Sequence, residues 1–380
     1  MAEYLTNDTD LKKVADAIRT KGGTSAALSY PDEYVSAINA ITTGTELKIV
    51  ASVASGAVVT ATKGSNTVSG TSVNGVCTLV VPETGTWSVK ATLGGQTSGT
   101  ENVSVVDSYA VTLSFVSSTL NDNEWSVIKS VSDAGQGANY WSIGDRKAVT
   151  LNGTVGKLSL SNVTTYAFII GFNHNASVEG SNRIHFQLAK TALSGGTDVC
   201  FCDSQYGPDS GWSSPGAGYF VMNVSNTNSG GWKSSQMRTA ICGTSLSSYS
   251  GTIIAVIPAA LRAVLKSVTK YTDNTGSGSS AASNVTATTD YFFLLSEFEV
   301  FGSISKANSN EANKQAQYAY YSAGNSKVKY KHNGTTTAAI WWLRSPNAGN
   351  SNFFVGVGTG GAVDDTDGNY SLGFAPGFCV

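Results

Sequence analysis

Apolar and polar residues alternate with a period near two along most of this chain, and the exceptions cluster at its start. Leu11, Val14, Ala15 and Ile18 recur at helical spacing, with Asp8 or Asp10 placed to cap the run and Lys21-Gly22-Gly23 to stop it. A second, shorter helix is predicted from Pro31-Asp32-Glu33 through Val35 and Ile38. Two short amphipathic helices cannot bury a core between them, so residues 1–45 are expected to dock on a partner or to oligomerise. From 46 to 107 the short runs ELKIVASV, AVVTATKG, GVCTLVVP, TWSVKATL and ENVSVVD alternate between stretches of Gly, Ser, Asn and Thr. They predict a small β-sandwich with Trp87 in its core, and nothing in it carries chemistry, so it reads as a spacer. Residues 108–380 form the large domain, opening on the strand YAVTLSF and closing on GFAPGFCV. Further strands are predicted at YAFIIGFN, RIHFQLAK and YFVMNVS. Helices are predicted at IPAALRAVLKSVTKY, where Pro258 sits at the start, and at SNEANKQAQYAYYSAG, ended by Gly324. Few helices and many long connections make the fold class α+β and β-rich.

Composition sharpens this outline. The chain has 380 residues, of which 41% are hydrophobic and 10% aromatic, enough for real cores and against disorder. Charged residues are only 13%, about half the usual share, and the formal charge of −2 leaves no footprint for nucleic acid or an anionic membrane. The densest basic run, Lys327-Val328-Lys329-Tyr330-Lys331, reads as a solvated edge strand. The start MAEYLTNDTDLKK lacks the basic and apolar regions of a signal peptide, and no apolar run approaches the roughly 20 residues of a membrane span. No membrane insertion is expected. Cys77, Cys200, Cys202, Cys242 and Cys379 are odd in number and lack metal spacing, so buried free thiols are expected; period two puts Cys200 and Cys202 on one strand face.

Candidate chemistry is sparse. His174, His185 and His332 sit far apart in sequence and in no metal motif, so no metal or cofactor is expected. His185 reads as a satisfied strand residue and His332 as an exposed loop. Gly356-Val357-Gly358-Thr359-Gly360-Gly361 matches G-x-G-x-x-G, but the AVDDTDGNYSLG that follows cannot supply the helix that holds a pyrophosphate. Asp364-Asp365-Thr366-Asp367-Gly368-Asn369 has the acids of a calcium loop without its register or its final Glu, and reads as solvated turn acids or ligand contacts. With no catalytic constellation, an enzyme is the weaker class; acids such as Asp145 or Glu297 would have to converge in space, and an enzyme would show a buried cleft of acids around His174 or Asp145.

The closing stretch WWLRSPNAGNSNFFVGVGTGGAVDDTDGNYSLGFAPGFCV holds two packing segments around small polar residues and a few aromatics, a palette that binding loops favour. After Arg344 there is no Lys, Gln, Glu, Met or Trp. Those are the residues that a codon ending in a pyrimidine cannot encode, whereas AAC with its first two bases randomised gives the types present. The motifs NDNEWSVIKSVSDAG, YWSIGD, FIIGFNHNASVEGSNRIHFQL, NTNSGGWKSSQMR, LRAVLKSVTKYTDNTG, LLSEFEVFG, GNSKVKYKHNG, WWLRSP and GFAPGFCV together resemble a domain family of phages and low-GC Gram-positive gut bacteria. Some members of it look like targets of diversity-generating retroelements, which randomise adenines in Asn codons.

The resemblance implies a C-type-lectin-like domain over 108–380, preceded by an immunoglobulin-like spacer, with a variable region over 344–373. It implies variable positions on one exposed face at Asn347, Asn350, Asn352, Phe353, Gly356, Gly358, Thr359, Ala362, Asp364, Asp365, Thr366, Asp367, Asn369, Tyr370 and Leu372. It further implies a phage receptor-binding protein or adhesin, in a homotrimer at the tail tip or fibre, that recognises a host-cell surface protein or glycan. Residues 1–45 would attach to other tail proteins. A bacterial cell-surface lectin or adhesin is the alternative. The lectin motifs Glu-Pro-Asn and Trp-Asn-Asp are absent, so sugar specificity is not implied, and Cys200 and Cys202 do not match the paired cysteines of the related formylglycine-generating enzymes. Trp341, Trp342, Leu343, Pro346, Phe374, Pro376 and Phe378 would be the framework.

Overall fold

Alternation along the sequence becomes alternation of burial wherever a strand covers one face of a core. In the computed structural model, which describes residues 8–22, 27–39 and 46–380, this holds for β1 (Lys48–Ser52), β2 (Val58–Lys63), β4 (Val76–Val80), β5 (Gly85–Leu93) and β7 (Glu101–Val105), whereas β3 (Asn66–Thr71), β6 (Gln96–Thr97) and β8 (Ser108–Thr112) are mostly exposed. They form two sheets, ordered β4-β1-β8 and β3-β2-β5-β6, with β7 beside β5. Trp87 is wholly buried and donates its indole N–H to the Glu83 carbonyl at 3.1 Å. β8, expected to open the large domain, instead pairs in parallel with β1. Compactness divides the chain into Met1–Val89 with Asn102–Thr112, and Lys90–Glu101 with Leu113–Val380.

The helices at the start are α1 (Asp8–Gly22) and α2 (Asp32–Asn39). Gly23, assigned to the helix stop, lies outside the described residues. Ala15, Ile18 and Tyr34 form the small contact between the two helices. Val14, Val35 and Ile38, expected on the buried side, are exposed, because Tyr34 takes the inner position and hydrogen-bonds the Leu11 carbonyl at 2.6 Å.

The larger unit is built on the antiparallel sheet β15-β21-β11-β10-β9, from β9 (Arg146–Val155), β10 (Leu158–Phe172), β11 (Ile184–Lys190), β15 (Phe292–Phe293) and β21 (Gly377–Cys379). β11 is buried on both faces, and α3 (Trp125–Asp133) sets Trp125 edge-on to Phe186 and Phe378, with ring centroids at 5.7 and 6.2 Å. Around this core lie β12 (Val199–Cys200), β16 (Lys329–Lys331) and β17 (Gly334–Ala339) as one sheet, and the hairpin β13 (Val268–Asp273) with β14 (Val285–Asp290). The third sheet is β18 (Trp341–Pro346), β19 (Phe353–Val357) and β20 (Val363–Asp367). The molecule is thus β-rich α+β, with about 23% helix and 36% strand and no barrel. No helix among the described residues is long and apolar enough to cross a membrane.

Several expectations fail here for tertiary reasons. YFVMNVS is not a strand: Phe220, Val221 and Met222 are buried on irregular backbone. IPAALRAVLKSVTKY yields only the helical turn Ala259–Arg262 before Val268–Asp273 joins the β13–β14 hairpin, and SNEANKQAQYAYYSAG breaks into the short helices Ser309–Asn313 and Ala319–Ser322. β16 lies between β12 and β17 rather than at an edge, so Lys329 is buried. His332 is half-buried and its Nδ1 accepts the Cys202 N–H at 3.1 Å.

Candidate ligand-binding face

The third sheet grades from core to surface. β18 is buried along its whole length: Trp342 donates to the Phe220 carbonyl at 2.9 Å and Trp341 to the Lys327 carbonyl at 3.0 Å. β19 is buried from Phe354 to Val357, and β20, paired only with β19, is half-buried at every residue. The expected framework residues are all inside, since Trp341, Trp342, Leu343, Phe374 and Phe378 are fully buried and Pro346 and Pro376 are buried. The Gly-rich motif is spent on the end of β19 and the turn into β20, and no helix follows it.

What precedes β19 is held by main-chain contacts. Asn228 is wholly buried, and its side-chain amide donates to the carbonyls of Asn347, Asn350 and Phe353 at 3.0, 2.7 and 2.9 Å. Its amide oxygen accepts from the Ser277 N–H at 2.6 Å, and its backbone N–H donates to the Ser351 carbonyl at 2.7 Å. Inside the loop, Asn347 accepts from the Gly349 N–H at 2.6 Å and Asn350 from the Asn352 N–H at 2.8 Å, local turns that short amides favour. Beyond β20, Asn223 N–H meets the Gly368 carbonyl and Gly207 N–H the Ser371 carbonyl at 2.9 and 2.7 Å. The conformation of 347–371 is therefore set largely by backbone atoms and by residues outside the segment.

The register places the implied positions in two groups. Phe353 is opposite Asp367 and Gly356 opposite Asp364, so Asn350, Asn352, Phe353, Asp367, Asn369 and Tyr370 gather at one end of the β19–β20 hairpin. Gly358, Thr359, Ala362 and Asp364 gather at the other, roughly 13 Å away at about 3.3 Å per strand residue. Thr359 and Ala362 are exposed, and the others, with Asp365 and Thr366, are half-buried. Alternation turns Asp364 and Thr366 to one side of β20 and Asp365 and Asp367 to the other, so these positions form the rim of an edge strand rather than one face. The same alternation takes the acids off a common turn: Asp365 is held by Asn347 and by Lys306, the latter at 2.8 Å. Asn347, Gly356 and Leu372 are buried; Leu372 is fully enclosed, and a Cβ at Gly356 would lie 3.1 Å from the Trp341 carbonyl oxygen. These three act as framework.

Sequence reading missed Trp212 and Ser214. The Trp212 ring lies 5.4 Å from Tyr370, and Ser214 Oγ accepts from Asn369 at 2.7 Å. An isolated Trp in DSGWSSPGAG was the one available signal, whereas nothing marked Asn228.

The enzyme rival finds its acids around His174, but not as a cleft. Lys270 Nζ lies 2.6 Å from Glu179 and 2.9 Å from Glu299, and Arg344 binds both oxygens of Glu299, all fully or almost fully buried. Burial lifts Glu179 to about 7 against the pull of Lys270. Burial would raise Glu299 as well, but Arg344 and Lys270 hold it well below the usual carboxylate range. His174, stacked on Tyr318 at 3.7 Å, is driven by burial and by Lys270 down to about 3, and its Nε2 has no hydrogen-bond partner, with Glu179 3.6 Å away. His174, Glu179 and Glu299 could together bracket an ion. The Lys270 ammonium already serves those carboxylates, so the donor set does not fit a resident cation. Glu297 is occupied by the backbone N–H groups of Ser305 and Ala307 at 2.6 and 2.7 Å, and Asp145 by that of Ser142 at 2.9 Å. Cys200 and Cys202 are free and buried on one side, their sulfurs 3.9 Å apart.

A β-rich α+β domain with a buried charged core and a rim of small polar side chains is thus what the chain presents. Residues 219–380, less than half of it, match the family model of a domain of unknown function (DUF6273). No curated protein and no solved structure matches the chain.

Proposed function

We propose that the protein is a non-enzymatic receptor-binding protein whose β19–β20 rim recognises a ligand on a cell surface. The observation that carries this is the Asn228 clamp: it grips the carbonyls of Asn347, Asn350 and Phe353, main-chain atoms that side-chain replacement leaves in place. A loop already ordered loses less entropy on binding, and side chains freed from holding the fold can serve contact. Together with the codon pattern after Arg344, this supports a diversified binding surface on a C-type-lectin-like head with an immunoglobulin-like spacer over 46–107. The location we favour is a phage tail tip or fibre, with a bacterial cell surface as the alternative. Several copies, as in a homotrimer, would raise avidity without new contacts.

The test is binding of labelled protein to intact Gram-positive gut bacteria. Replacing Phe353, Asp364 and Tyr370 together with Ala should abolish binding and leave the melting temperature within about 5 °C. Binding at the native level by that folded variant would overturn the proposal.

A further inference from the structure

Six of the seven tryptophans are buried, and Trp212 alone is exposed, at 40%. It follows the short helix Gly207–Ser210 at φ +59°, a left-handed conformation that disfavours any residue with a side chain. A Cβ on Gly207 would meet its ring at 2.9 Å, so glycine there lets the indole lie close to the backbone. The Gly207 N–H, bonded to the Ser371 carbonyl, fixes that turn beside Tyr370, whose ring is tilted 57° to the indole. Around the two rings stand Ser214, the Asn369 amide with an oxygen lacking any partner, and the Asp367 carboxylate beside the Tyr370 hydroxyl. Core packing does not account for a strained, half-exposed indole.

Resting on the recognition reading above, we propose that this corner is a subsite for a neutral or N-acetylated pyranose of a cell-surface glycan, stacked on Trp212. The C–H face of a pyranose presents positive edges to the negative face of an indole. Its hydroxyls donate to Asp367. Ser214, Asn369 and Asp367 are the neighbours, short polar side chains with hydrogen-bonding capacity beyond the bonds they make to one another, and a hydroxyl-rich ligand suits them. Charge narrows the class further. Lys306 is paired with Asp365 and Lys331 with Asp209, whereas Asp364 and Asp367 have no ion pair among the described residues, so the rim repels anionic sugars.

Since Trp212 is the one half-exposed indole, acrylamide quenching of the full chain reads this site. The probes are methyl glycosides of glucose, galactose, mannose and the N-acetylhexosamines, with glucuronate as the anionic control. At least one neutral probe should protect against quenching at millimolar concentration and glucuronate should not; by calorimetry, which needs no indole reporter, Trp212→Ala should bind that probe about tenfold or more weakly, roughly 1.4 kcal/mol, without a lower melting temperature. No protection by any neutral probe, or calorimetric binding by Trp212→Ala equal to that of the native protein, overturns the subsite. Cell binding separates the two proposals. Native protein that binds periodate-oxidised and untreated cells equally refutes the glycan but leaves recognition standing. Native-level binding by the Phe353, Asp364 and Tyr370 triple variant refutes recognition itself.

Discussion

Replacing Lys329 with Met should stabilise the protein, although it deletes a charge from a lysine-rich strand. The side chain is 1% exposed, and its ammonium has no hydrogen-bond partner; it sits 5.4 Å from the Phe168 ring and 5.0 Å from Trp341. Burial, opposed in part by Asp198, takes the amine from 10.5 down to about 8. At about 1.4 kcal/mol per pH unit, that drop amounts to roughly 3 kcal/mol against the charged fold. The sign is set by proton binding. Between pH 8 and 10.5 the unfolded lysine holds a proton that the folded one has released, so stability rises with pH across that window; below it the deficit is present in full. Met fills similar space with no charge, and losing the ring–cation attraction offsets about 1 kcal/mol, leaving a gain of about 2 kcal/mol at pH 6.5. Urea unfolding followed by tryptophan emission reads mainly the larger unit, where six of the seven tryptophans lie. The gain should shrink as the pH approaches 10.5. A Met variant that is less stable at pH 6.5, or a gap that does not change with pH, would refute the reasoning.

Three further outcomes follow from the same geometry. Arg344→Met leaves Glu299 buried beside Lys270 alone and should cost about 3–5 kcal/mol in denaturant unfolding. Asn228→Ala leaves buried carbonyls unpaired, costing about 1–3 kcal/mol, and should speed amide exchange over 347–353 while weakening cell binding. Leu372→Ala should lose about 2–5 kcal/mol as a core truncation, while Thr359→Ala, at an exposed turn, should stay within about 0.5 kcal/mol in the same unfolding assay.

Legibility followed the range of the forces involved. Trp87 in a small two-sheet module, and the framework of WWLRSP and GFAPGFCV, could be read from local alternation and side-chain size. What depended on partners distant in sequence could not. Lys327 to Lys331 has the pattern of a solvated edge, and only the pairing of β16 with both β12 and β17 turns Lys329 inward. Residues 257–271 carry a helical period, yet β14 captures their last four. Arg344 looked like one polar residue in a packing string, because Glu299 and Thr272 reach it from 45 and 72 positions away. At the rim, the segment itself was legible, but its split into two ends, its buried members and the neighbouring Trp212 follow from strand register.

The main-chain grip of Asn228 also has a use for protein engineering. A library that randomises Asn352, Phe353, Thr359, Ala362, Asp364, Thr366, Asp367, Asn369 and Tyr370 touches none of the atoms that Asn228 holds except the carbonyl every residue shares. Most of its members should fold. Extending it to Gly356, where a Cβ would press on Trp341, or to the enclosed Leu372, should lose the greater part of the clones to misfolding before any selection begins.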